Sequence, residues 1–234
     1  AWSPTRFDED GLIEIVSKFF GTLRNVYNFF VLYSNQDEID PKDFFIDYDK
    51  RPELDRWILS KYNRLIKDVT EEMNRYDHMK SVRKIQEFVS EDLSNWYIRR
   101  ARRRFWGEEM TEDKMSVYAT TYEILVGVSQ LAAPFAPFIT DEMYRKLTGE
   151  ESVHLSFYPS AREECINPTV EERMDLVRVL VGLGRGAREK EKIKVRQPLH
   201  EILVDGKYED LISDLADLIR EELNVKEVVF EKQL

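Results

Sequence analysis

Apolar residues recur at helical spacing through the first two-thirds of the chain. From Gly11 onward, Leu12, Ile15, Val16, Phe19, Phe20, Leu23, Val26, Tyr27, Phe30 and Val31 form one stripe. That spacing predicts an amphipathic helix of about six turns, with Arg24, Asn25 and Asn28 off the stripe. Residues 1–10 read as a leader, and residues 35–51, polar and acidic, as a loop. Pro52 suits the start of a second helix, where its missing N–H costs nothing; this helix carries Leu54, Trp57, Ile58, Tyr62, Leu65, Val69 and Met73. After a short connection at 77–80, a third stripe runs through Ile85, Phe88, Val89, Leu93, Trp96 and Tyr97. Continued at the same period, that stripe passes to Arg99, Arg100 and Arg103, with Arg102 and Arg104 on either side. A guanidinium keeps its charge, and burying one unpaired costs several kcal/mol. The helix is therefore expected to begin as core and to end as a cationic projection tipped by Phe105 and Trp106.

Gly107 stops this helix, and Thr111 with Glu112 and Asp113 caps a fourth. Its stripe is Val117, Tyr118, Thr121, Tyr122, Leu125, Val128 and Leu131. Pro134 and Pro137 break it, and Thr140 restarts a shorter helix that Gly149 ends. Long helices joined by short loops predict a mainly α fold, an up-and-down helical bundle over residues 1–160. Trp57, Trp96 and Tyr122 belong to its core. Near Pro159 the pattern changes. A helix from Asn167-Pro168 to about Glu191 precedes a strand at 202–204, a helix at 208–223 and a strand at 225–231. Residues 161–234 thus read as a small α+β appendage built on a β-α-β unit.

The net charge of −10 over 234 residues makes the surface as a whole repel nucleic acid, so any such binding needs local basic patches. The single cysteine, Cys165, excludes an intramolecular disulfide or a multi-cysteine metal site and suits a reducing cytoplasm. His78, His154 and His200 lack ligand-like spacing. No apolar run approaches a membrane span and no signal peptide opens the chain, so no membrane association is expected. Ala1 in place of Met points to a processed chain or a piece of a longer one. With no Ser-His-Asp set, metal spacing or P-loop, no catalytic residue, metal ligand or cofactor site is assigned.

Two basic patches stand out against the acidic background. Arg99, Arg100, Arg102, Arg103 and Arg104 precede two aromatics, and arginine with aromatics grips phosphate and stacks on unpaired bases. The alternative is pairing with carboxylates of neighbouring helices. Arg185, Arg188, Lys190, Lys192, Lys194 and Arg196 form the second patch, opposed by Glu189 and Glu191. Lacking an aromatic, it suits a phosphate backbone; its alternative is a solvated linker. Lys114-Met115-Ser116 imitates part of a nucleotide-binding K-M-S-K-S loop but sits at a capped helix start without the second lysine. Gly182-Leu-Gly184-Arg-Gly186 imitates a phosphate-cradling turn but lies in a helical pattern, where close packing or local unwinding explains it better.

The runs D-L-S-N-W-Y-I-R-R-A-R-R-R-F-W-G, L-D-R-W-I-L-S-K-Y-N, L-A-A-P-F-A-P-F-I-T-D-E-M-Y and A-R-E-K-E-K-I-K-V-R-Q-P-L together resemble isoleucyl-tRNA synthetases of the archaeal and eukaryotic-like branch, over about residues 7–230. The resemblance implies a class Ia anticodon-binding bundle whose partners are tRNA(Ile) and the catalytic domain of the same polypeptide, acting as a monomer in the cytoplasm. The candidate tRNA contacts are Arg24, Asn25 and Asn28, the tip residues Arg99, Arg100, Arg102, Arg103, Arg104 and Trp106, and Arg185, Arg188, Lys190, Lys192, Lys194 and Arg196. The family's His-Ile-Gly-His and complete K-M-S-K-S motifs are absent. ATP and magnesium therefore belong to the parent enzyme, and this chain alone is expected to be inactive. S-V-H-L-S-F-Y-P departs from the family, which usually has an aspartate before the aromatic and proline. A helical protein-interaction module, the matching domain of a valyl or leucyl synthetase, and an independent enzyme are the alternatives.

Overall fold

The computed structural model describes residues 9–232, the side chain of Leu12 excepted. Most of the expected leader at 1–10 lies outside the described residues. The chain divides into two compact units, 1–167 and 168–234.

Helix α6 (Glu112–Ala132) is the axis of the first unit. It is buried on nearly every side, including Val117, Tyr118, Ile124, Leu125, Val128 and Leu131. Its buried hydroxyls avoid stranding by bonding their own helix: Thr121 Oγ1 donates to Val117 O at 2.7 Å and Ser129 Oγ to Leu125 O at 2.8 Å. Thr111 caps its start by accepting from Lys114 N. Pro137 opens α7 (Pro137–Thr148), and Gly149, at φ 77°, ends it in the left-handed conformation. Around α6 lie α1 (Glu9–Ile15), a π-helical segment Val16–Phe20 and α2 (Gly21–Gln36). Then come α3 (Glu53–Asn74), α4 (His78–Glu87), a second π-helical segment Phe88–Ile98 and α5 (Arg99–Trp106). The mainly α bundle anticipated from periodicity is present, with Trp57 and Trp96 in its core.

Three local expectations need correction. The stripe of the first helix packs only from Phe19 onward: Ile15 and Val16 are exposed. Tyr122 is half-buried rather than core, because the 38–51 loop covers it only in part. The largest correction concerns the arginines. The third helix is continuous to Trp106, but in Phe88–Ile98 the backbone winds π-helically, with i→i+5 bonding in place of i→i+4. That wider turn rotates everything after it. Ile98, Ala101 and Phe105 carry the buried face onward, and Arg99, Arg100 and Arg103 do not take it over.

One buried carboxylate ties four of these elements together. Asp55 of α3 is fully buried and accepts from Tyr97 OH at 2.9 Å, Ser116 Oγ at 2.6 Å, and Arg104 Nη1 and Nη2 at 2.5 and 2.8 Å. The long 38–51 loop is held to α6 by Arg51, which donates to Thr120 Oγ1 at 2.8 Å and Ile46 O at 3.0 Å and pairs with Glu123. Residues 152–167 stay with the first unit because they bond back onto it. Gln130 donates to Ser156, Arg162 N donates to Asn63 Oδ1, Asn167 N donates to Ser60 Oγ, and Cys165 is buried.

The second unit is α8 (Pro168–Lys190), β1 (Leu199–Asp205), α9 (Glu209–Ile212), α10 (Ala216–Leu223) and β2 (Val225–Glu231). The strands pair in parallel, from Leu199 opposite Val225 to Asp205 opposite Glu231, the β-α-β unit expected from the pattern. The first strand is longer than the 202–204 core, and one short 3-10 turn, Ser213–Leu215, breaks the connecting helix. Gly184 packs against α10 so closely that a Cβ there would lie 2.4 Å from Leu223 Cδ1, whereas Gly182 and Gly186 face open space. Close helix packing therefore accounts for one glycine of G-L-G-R-G. Among the described residues no helix is long and apolar enough to cross a membrane.

Replacing Asp55 by Ala removes the acceptor shared by Tyr97, Ser116 and Arg104. Arg104 keeps Asp113, so the loss should sit near the lower end of the range for a broken buried pair, about 3 kcal/mol. A urea denaturation midpoint equal to that of the unaltered protein would show that the network contributes nothing.

Candidate nucleic-acid interface

The tip of α5 separates its side chains into two groups. Arg104 turns inward to Asp55 and also pairs with Asp113 at 2.9 Å. Phe105 is buried as well, perpendicular to Phe29 with ring centres 5.1 Å apart and to Tyr118 at 4.9 Å. Neither belongs to a cationic projection. Arg102 is exposed, with its guanidinium carbon 5.9 Å from the centre of the Phe29 ring, a cation–π distance. Trp106 is 54% exposed, whereas Trp96 is 7% exposed. Arg99 and Arg103 are exposed and Arg100 half-buried, each also engaged by other groups of the protein.

Lys114 and Ser116, the nucleotide-loop look-alike, are structural. Lys114 is buried, pairs with Asp37 at 2.6 Å and donates to Gly107 O, tying down the end of α5. Ser116 serves Asp55. Burial, then the Asp55 carboxylate, pushes the Tyr97 hydroxyl well above its ordinary pKa, so it remains a donor.

Helix α2 lies beside this tip, since Phe29 is the ring beneath Arg102. On its other flank, a cleft of about 470 Å³ opens against α7. Arg24 and Asn28, one helical turn apart, both line it; Asn25 is exposed but does not. Tyr27, Phe138, Ile139, Glu142, Met143 and Lys146 line the rest of this cleft, and none was among the candidate contacts expected from the sequence. The one available signal was an aromatic directly after a helix-opening proline, which in the linear pattern marks only a break between helices.

In the second unit the basic run also splits. Arg185 pairs with the buried Glu222. Arg188 is 5% exposed and donates to four carbonyls, Lys194 O, Gln197 O, Leu223 O and Asn224 O. It thereby satisfies the end of α10 and the turn after α8, a structural use in place of the expected phosphate contact. Lys190, Lys192, Lys194 and Arg196 are exposed and make no ion pair among the described residues. The histidines do offer one grouping invisible in linear spacing. His200 of β1 lies near Glu201 and near Glu227 of β2, which the strand register sets opposite Glu201. All three are solvent-exposed strand side chains.

Fold and residues together define a class. The model for the anticodon-binding domain of tRNA ligases matches residues 55–203, well over half of the chain. The chain belongs to that family. It is 43% identical over 233 residues to the isoleucine–tRNA ligase of Porphyromonas gingivalis, covering 98% of this chain and 20% of that protein. To the isoleucine–tRNA ligase of Clostridium acetobutylicum it is 44% identical over 239 residues, covering all of this chain and 23% of the relative. The corresponding protein of Bacteroides thetaiotaomicron is 43% identical over 238 residues, 98% of this chain and 20% of its own length. The chain thus spans about a fifth of the relatives it matches.

The inward and outward arginines should separate in a stability measurement. Arg188→Ala leaves four carbonyls unserved and Arg104→Ala leaves Asp55 buried without its cation, so both should lose roughly 2–5 kcal/mol. Arg102→Ala removes an exposed side chain and should stay within about 0.5 kcal/mol of the original. Urea midpoints of the three variants test this, and an Arg102 variant as destabilised as the other two would contradict it.

Proposed function

We infer that this chain is the anticodon-binding part of an isoleucine–tRNA ligase and that it holds the anticodon stem-loop of tRNA(Ile). The observation that carries the reading is the family match joined to the exposed chemistry on both flanks of α2. Arg102 and Trp106 lie on one side, and Arg24 and Asn28 open on the other. In an acidic protein such local cations and aromatics are what unpaired bases and phosphates require. Lys190, Lys192, Lys194 and Arg196 carry charge without an aromatic, which suits backbone binding that positions the RNA without reading it.

On this reading the ATP- and magnesium-dependent joining of isoleucine to tRNA belongs to a catalytic part of the same polypeptide, in a cytoplasmic, monomeric enzyme. This chain alone binds RNA and does not charge it. Each cation that meets a phosphate displaces a bound counterion, so binding should be salt-dependent.

Titrating the chain with tRNA(Ile) and with a non-cognate tRNA at two salt concentrations tests the reading. Neutralising Lys190, Lys192 and Lys194 should weaken both tRNAs alike. It should also flatten the log–log salt dependence by about 0.7–0.9 for each phosphate that no longer meets a cation. Trp106→Ala and Arg102→Ala should instead narrow the gap between the two tRNAs. If the lysine variant lost discrimination and the tip variants lost only overall affinity, the division of labour would be reversed. Absence of any tRNA binding, with retained capture of an acidic protein partner, would favour the interaction-module alternative.

A further inference from the structure

The cleft between α2 and α7 gathers chemistry that the bundle does not use for its own packing. Phe138, the second residue of α7, is 89% exposed. A lone exposed phenylalanine calls for no explanation, but this one walls a cleft of about 470 Å³ that it shares with apolar Ile139 and Met143 and with a set of polar groups from both helices. Arg24 and Asn28 approach from α2. From α7 come Lys146 and Glu142, paired with each other at 2.6 Å. The half-buried Tyr27 adds a hydroxyl whose pKa burial pushes up, so that it stays protonated. Glu142 is held below the usual carboxylate range, first by its bond to Lys146 and also by the nearby charge of Arg24.

These groups constrain the occupant. A simple anion would meet the Glu142 carboxylate as well as the cations. A hydrocarbon would leave Arg24 and Asn28 without partners and would take water from the Glu142–Lys146 pair, at a cost for each. A ligand with a flat π face, a hydrogen-bonding edge carrying both donors and acceptors, and an attached negative charge satisfies all of them. That is a nucleotide. The volume lies within the ordinary range for small-molecule pockets.

We propose that this cleft receives one unpaired nucleotide of the bound RNA, its base stacked on Phe138, its edge met by Asn28 and Glu142, and its phosphate by Arg24 and Lys146. The proposal rests on the RNA-binding reading above. It adds a second base-holding position on the far side of α2 from the α5 tip. Stacking on Phe138 tolerates any base, because every base has a π face; selectivity falls to Asn28 and Glu142, which present an acceptor–donor set and an acceptor.

The test uses the full chain and an RNA hairpin with the sequence of the tRNA(Ile) anticodon stem-loop, carrying the fluorescent base 2-aminopurine at one loop position at a time. One position should be quenched by the unaltered protein. Phe138→Ala should abolish that quench and weaken binding roughly 5- to 150-fold, the range for losing one base–aromatic stack, while Phe138→Trp keeps both. An abasic nucleotide at the same position should cost a similar factor and make Phe138→Ala silent. Phe138 is solvent-exposed, and an unchanged urea midpoint for the variant verifies that folding is not what is being read. If Phe138→Ala binds every hairpin as tightly as the unaltered protein while Trp106→Ala weakens binding, the cleft proposal falls and the RNA reading stands. If the unaltered protein binds no hairpin at any salt concentration, both fall.

Discussion

A single buried charge sets the geometry on which the first unit depends. Asp55 gives its two oxygens to a tyrosine and a bidentate arginine of the continuous helix that ends at Trp106 and to a serine of α6. Burying a carboxylate costs several kcal/mol unless its lone pairs are filled and its charge is met. Here the Arg104 fork meets the charge, and Tyr97 and Ser116 take up further lone pairs. The consequence is orientational. With Arg104 clamped to α3, helix α5 has one permitted rotation about its axis. Arg102, two residues away, is thereby turned outward over Phe29. An arginine used for structure thus aims one that is left exposed.

The π-helical winding of Phe88–Ile98 makes that clamp possible. In an unbroken α-helix the apolar stripe would have led into Arg99, Arg100 and Arg103, forcing the arginine face against the core. The wider turn brings Ile98, Ala101 and Phe105 inward instead. Phe105 then locks against Phe29 and Tyr118, and Lys114 holds Gly107 at the helix end. Rotation, depth and end point of α5 are thus fixed by three different interactions. A surface built on such a helix needs little ordering when a partner arrives, and that lowers the entropic cost of binding.

The second unit repeats the principle with different parts. Arg188 satisfies four backbone carbonyls and Arg185 meets a buried glutamate, so the first two members of the basic run hold the fold together. The later members, at the last residue of α8 and on the turn beyond it, stay in water. In both units a sequence run of like charges separates by position into groups that satisfy buried acceptors and groups left for a partner. Counting charges along the chain cannot make that separation.

Much was nonetheless settled by the sequence alone. The 3.6-residue recurrence of apolar side chains, the prolines at 134 and 137, the caps at Thr111 and Gly149, and the strand–helix–strand ending specified a helical bundle with a small α+β appendage. They did so because periodicity, capping and proline geometry are local properties. The family resemblance was legible too, since it rests on side-chain identity. What only the tertiary structure decided depends on distance through space. Asp55 looks like one more surface acid on an amphipathic helix until Tyr97, Arg104 and Ser116 close around it. Arg188 looks like one more cation in a basic run until the carbonyls of a later helix reach it. A period of 3.6 cannot announce a π-helical turn, because the extra residue per turn is stabilised by packing outside the segment. Phe138 and Arg24 are far apart in sequence, and only the approach of α7 to α2 makes them walls of one cleft.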